Sequence, residues 1–113
     1  MEKFILLFRG SNVYEPNQSP AALQNLTVKM MDWVGDLVRN GKHVSSEKWQ
    51  RAGKKVSGAM KIVHDNPFGE TQEIIGGCTI VLAKDFDEAV DIAKACPVLE
   101  TNATIEIRPI QSV

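Results

Sequence analysis

The sequence has no excess of charge of one sign: 13 Lys and Arg stand against 14 Asp and Glu in 113 residues. A near-neutral chain carries no electrostatic footprint for nucleic acid or an anionic membrane surface, and neither is expected as a partner. Cysteine is scarce as well. Cys78 lies in an apolar run and Cys96 just before Pro97, with no Cys-x-x-Cys or histidine spacing of a metal or redox motif, so both are expected as buried, reduced thiols. No apolar run is long enough to span a bilayer, and Met1-Glu2-Lys3 leads into a short apolar stretch without a signal-peptide cleavage pattern, so a cytoplasmic protein is expected. Repeats and low-complexity tracts are absent too, and the length suits one domain over residues 1–113 with one modest core.

What the chain does have is a dense polar stretch at residues 64–77, HDNPFGETQEIIGG. Asp65, Glu70 and Glu73 fall within nine residues, with His64 on one side and Gly76-Gly77 on the other. Asn66 tolerates left-handed backbone, Pro67 fixes its own φ and keeps the preceding residue out of the helical region, and the paired glycines let a backbone or ligand approach closely. The stretch therefore reads as a shaped loop.

The elements around it follow from periodicity. Phe4-Ile5-Leu6-Leu7-Phe8 is an unbroken apolar run, the pattern of a central strand, and Arg9-Gly10 ends it. Arg9 at that strand end is either an anion-binding group or a solvated arginine. Ser19-Pro20 is an N-cap followed by proline at the first helical position. Leu23, Leu26, Met30, Trp33, Val34, Leu37 and Val38 then recur at helical spacing, and Asn40-Gly41 stops the helix. Over residues 43–60 the pattern is weak: a short strand is expected at residues 47–51, with turns at Gly53-Lys54-Lys55 and Ser57-Gly58. Residues 60–64 form a stronger strand that runs into the carboxylate loop.

After Gly77, residues 78–83 are β-rich, and Asp85 with Glu88 forms a capping box for a second helix marked by Phe86, Ala89, Val90, Ala93 and Cys96. Pro97 ends that helix. Residues 104–108 alternate apolar and polar, the pattern of a last strand with one covered face. The order implies an α+β domain of the ferredoxin-like split βαβ plan, with both helices on one face of an antiparallel sheet. The other face then needs cover, and a homodimer with two sheets packed together supplies it.

The run Asp65-Asn66-Pro67-Phe68-Gly69-Glu70-Thr71-Gln72-Glu73, then Gly76-Gly77, the helix at residues 85–97 and Glu106-Ile107-Arg108-Pro109-Ile110 together resemble the YCII-related family, in particular its DGPF-domain branch. The resemblance implies a dimeric α+β barrel, in a group of folds that includes monooxygenases, lactone isomerases and a dehydrochlorinase-like branch. It does not imply one activity. The family motif has Gly where this chain has Asn66, a residue that keeps left-handed backbone well enough for the turn to survive.

Two functions fit these residues. One is an enzyme acting on a small anionic or carbonyl-bearing molecule, with Asp65 or Glu73 as general base, Glu70 as second carboxylate, His64 beside them, and Arg9 or Arg108 holding negative charge. Clustered carboxylates in a sheltered cleft do not all ionise cheaply, which favours a base of raised pKa. The other is a non-catalytic dimeric ligand-binding or interaction module whose carboxylates cap backbone N–H groups and pair with arginines. No serine or cysteine has a recognisable base beside it, so a nucleophilic mechanism is not expected. The carboxylate oxygens suit a hard divalent cation, but their spacing matches no metal loop, so a bound metal is the lesser alternative and no cofactor is expected.

Overall fold

A computed structural model describes residues 1–10, 19–50, 52–65 and 75–111. Its elements are β1 (Glu2–Arg9), α1 (Pro20–Arg39), β2 (His43–Lys48), β3 (Lys54–Ser57), β4 (Ile62–Asp65), β5 (Ile75–Ala83), α2 (Phe86–Lys94), a 3-10 turn (Pro97–Glu100) and β6 (Thr104–Pro109). The main sheet runs β2-β5-β1-β6, with every neighbouring pair antiparallel. Two interleaved β-α-β units produce this order, β1-α1-β2 and β5-α2-β6, which is the ferredoxin-like α+β plan. The hairpin β3-β4 is inserted between the units and forms a separate two-stranded sheet.

The apolar run of β1 sits in the sheet centre, as its pattern implies. Phe4 and Leu6 point to the helical face and are almost wholly buried, together with Val81 and Thr79 opposite them. Trp33 and Leu37 from α1, and Ala89 and Ala93 from α2, close that core. Trp33 packs edge-on against Phe8, and its Nε1 donates to the Ile92 carbonyl at 3.1 Å, tying the two helices together. The α1 stripe is narrower than its sequence suggests: Leu23 and Val38 are exposed. Both caps form. Ser19 Oγ accepts from the Ala22 N–H at 3.1 Å, and Asp85 Oδ1 accepts from the Glu88 N–H at 2.8 Å. The Glu88 carboxylate reaches back to the Lys84 N–H at 3.3 Å, one residue before the cap.

Three local readings are corrected. The second strand is His43–Lys48, not residues 47–51, because its partner β5 decides its extent: the strand is nearly devoid of apolar residues and carries a bulge at Val44 that breaks its alternation. Residues 54–57 are strand rather than turns, and they pair with β4. The turn itself lies at Gly58 to Lys61, both with positive φ, closed by Lys61 N–H donating to the Gly58 carbonyl at 3.1 Å. The strand 62–65 therefore belongs to the inserted hairpin and not to the main sheet.

The glycine pair meets neighbouring backbone. Gly76 is the extra residue of a bulge opposite Phe8 and Arg9, and its carbonyl accepts from the Trp49 N–H at 2.8 Å. A Cβ on Gly77 would collide with the Glu47 carbonyl oxygen, so only glycine lets β2 lie this close.

Candidate functional site

The sheet's other face has no helix packed on it among the described residues, and the register shows what it presents. Glu47, Cys78, Leu7 and Glu106 stand opposite one another in a row across β2, β5, β1 and β6. At about 4.8 Å per strand, the two carboxylates are about 14 Å apart across an apolar centre. The next row is Ser45, Ile80, Ile5 and Arg108. Arg9 lies on the same side, past Leu7 along β1.

Arginines gather at the β6 side of this face. Arg9 Nε is 3.3 Å from Glu106 Oε1 and Arg108 Nη1 is 3.8 Å from Glu106 Oε2, so one carboxylate lies between two guanidinium groups. Arg108 is largely exposed and Arg9 is about one-third exposed. Each pair is worth at most about 1 kcal/mol at such exposure. Their chemistry is that of an anion clamp with one internal counter-charge. At the other side, Glu47 Oε2 accepts from Trp49 Nε1 at 3.3 Å. Cys78 is buried in between, and its thiol pKa is raised, first by desolvation and then by the Glu47 charge. A thiol held protonated is a poor nucleophile.

Arg9 and Arg108, expected from the sequence as anion-binding groups, are thus brought together around Glu106. Glu106 itself was passed over, although its place between Ile105 and Ile107, two residues from Arg108, sets both charges on one strand face. Asp65 and His64 lie on the hairpin and point to opposite faces of it. Asp65 Oδ1 pairs with Lys54 Nζ at 3.1 Å, and His64 Nε2 is 3.1 Å from Ser57 Oγ. Glu70 and Glu73 lie outside the described residues. Among the described residues no group of three metal-ligating side chains gathers.

The expectation that no serine has a base beside it is overturned. Ser46 Oγ is 2.9 Å from His43 Nε2, and Ser57 faces His64. Each pair is three or seven residues apart in sequence and is brought together by a strand bulge or by hairpin pairing, neither of which spacing alone shows.

The fold thus has one sheet face covered by helices and one, bearing the arginines, without a helix on it among the described residues. The YCII-related domain matches residues 11–113, and the chain belongs to that family. No curated protein matches it. Among solved structures it is similar to 5-chloro-2-hydroxyhydroquinone dehydrochlorinase from Burkholderia phenoliruptrix AC1100, in complex with 2,5-dihydroxybenzoquinone. The identity is 14%, covering 96% of this chain and 93% of that one, with a TM-score of 0.58. At this identity the likeness is one of fold.

Proposed function

We propose that the protein is a small-molecule enzyme of the DGPF branch, working as a homodimeric α+β barrel. Its ligand is an anionic or carbonyl-bearing molecule lying against the helix-free sheet face. The observation that carries this reading is the placement of Arg9 and Arg108 around Glu106 beside Leu7, Ile5 and Ile80: two cations at the rim of an apolar floor. Arginine suits planar oxyanions because its donors form a fixed fork. Proton transfer falls to the carboxylates of the 65–73 stretch, with Asp65 or Glu73 as base, Glu70 as second carboxylate and His64 near them in sequence. Glu106 holds the arginines and is not the base. The dehydrochlorinase of similar fold carries a small oxygenated ring, which supports this ligand class.

The second reading, a non-catalytic dimeric binding or interaction module, has its own support. Asp65 pairs with Lys54, Glu88 with Lys42 and Glu106 with arginine, as structural carboxylates do. Calorimetric titration with 2,5-dihydroxybenzoquinone as probe tests the binding face. Binding that falls about tenfold or more in Arg108→Gln, in line with about 1.5–3 kcal/mol for a charged hydrogen bond, is the expected result. Equal affinity in wild type, Arg9→Gln and Arg108→Gln would remove the arginine face from consideration. Glu73→Gln then separates the readings. A working base gives stability within about 1 kcal/mol of wild type, whereas a buried structural carboxylate gives a loss of several kcal/mol.

A further inference from the structure

On the helical face of the sheet, away from the arginines, three side chains form a chain that the reading above does not use. His43 Nε2 is 2.9 Å from Ser46 Oγ, which is 3.0 Å from Thr79 Oγ1. His43 is half-buried, Ser46 is exposed and Thr79 is 1% exposed. In a regular strand, residues three apart face opposite sides. Here the bulge at Val44 adds one residue and turns His43 and Ser46 to the same side.

Register also places the Ser46 backbone. Trp49 N–H donates to the Gly76 carbonyl, which marks 49 and 76 as a hydrogen-bonded pair. Steps of two carry that pattern to Glu47 with Cys78 and to Ser45 with Ile80, leaving Ser46 and Thr79 as the closer, non-hydrogen-bonded kind. The Ser46 N–H is therefore directed away from β5, to the outer edge of the sheet, where no described strand pairs with it. A serine, a histidine ring nitrogen within hydrogen-bond reach of its hydroxyl, and the serine's own N–H beside it are the parts of acyl-transfer chemistry.

We propose that Ser46 is a nucleophile, with His43 as its base, that takes the acyl group of an activated carboxylic ester. Ser46 Oγ bonds to the carbonyl carbon while its proton passes to His43 Nε2. The tetrahedral adduct, its oxyanion near the Ser46 N–H, collapses by expelling the alcohol oxygen, which takes the proton back from Nε2. Water repeats the sequence on the acyl-serine and releases the acid. Thr79 is a positioning residue: its buried hydroxyl donates to Oγ and holds the serine rotamer against the imidazole.

The test uses the full chain and two probes: p-nitrophenyl acetate for release kinetics and a fluorophosphonate for mapping the adduct by mass. One adduct per chain on Ser46 is expected. Ser46→Ala should abolish the adduct, and His43→Gln should slow it at least tenfold. Thr79→Val should slow it and Thr79→Ser, which keeps the hydroxyl, should restore the rate, which a requirement for the threonine's shape alone would not allow. The Ser57–His64 pair on the hairpin, 3.1 Å apart, is an internal control. Equal labelling of Ser57 and Ser46, labelling of Ser46 only after denaturation, or a rate unchanged in folded His43→Gln would each overturn the proposal.

Discussion

Cys96 sits between α2 and the 3-10 turn, buried to 2% exposure, with its Sγ 3.7 Å from Met30 Sδ. Burial pushes its thiol pKa up from 9.0 to about 11, against a smaller lowering by a backbone hydrogen bond at Val98. The neutral thiol is thus the form the folded state prefers. Below pH 9 both folded and unfolded chains keep the proton and the full stability is present; from pH 9 the unfolded chain ionises first, and stability falls until the folded thiol also titrates near 11. At about 1.4 kcal/mol per unit, the expected loss is about 2–3 kcal/mol. Urea unfolding at pH 8 and pH 11 measures it, and Cys96→Ala should remove that part of the slope. Equal slopes in wild type and variant would show that the site does not discriminate the two forms. The burial of both thiols was legible from an apolar run and a helix end; the raised pKa was not, since it depends on what packs around each sulfur.

At the scale of elements, α2 is short, nine residues, and depends on its ends more than α1 does. Asp85 Oδ1 caps it, Asp87 and Glu88 place negative charge in its first turn, and Lys94 lies in its last. Asp85→Ala should cost about 1 kcal/mol, and Asp85→Ser much less. Chemical denaturation of the two variants decides this, and an equal loss in both would assign the effect to charge rather than to the cap. This element was readable because capping is local. The β2 strand was not, because an edge strand that is nearly all polar draws its conformation from β5. The hairpin was half legible: β4 is β-branched and apolar, whereas Lys54-Lys55 takes strand form only by pairing across the Gly58–Lys61 turn.

For the whole molecule, the uncovered sheet face is the main unsettled surface. Ile5, Leu7, Ile80 and Leu82 lie on the two central strands, yet they are only half-buried, unlike Phe4, Leu6 and Val81 on the helical side. The smallest dimension of the molecule, 18 Å, corresponds to two layers, one sheet and one set of helices. A third layer supplied by a second copy would remove this apolar area from water, and a dimer at micromolar concentration is expected by light scattering. Leu7→Lys should shift it toward monomer, because it places a charge in the centre of the row between Cys78 and Glu106. A wild-type monomer at that concentration would end the barrel proposal and leave the ferredoxin-like fold untouched. No described helix is long and apolar enough to cross a membrane.

The division between what the chain order determined and what folding decided follows the range of the forces involved. Caps, the helical repeat that makes α1 a helix, the apolar run of β1 and the order of strands and helices depend on residues a few positions apart, and the sequence by itself determined them. Register did not belong to that class. That Glu106 lies between Arg9 and Arg108, that Gly77 is needed because the Glu47 carbonyl passes over it, and that His43 meets Ser46 were settled only when β2 and β1 aligned on β5 and β6 aligned on β1. A shift of one residue in any of those pairings would turn every side chain of the strand to the other face, so the polar neighbours at both faces are properties of the tertiary structure.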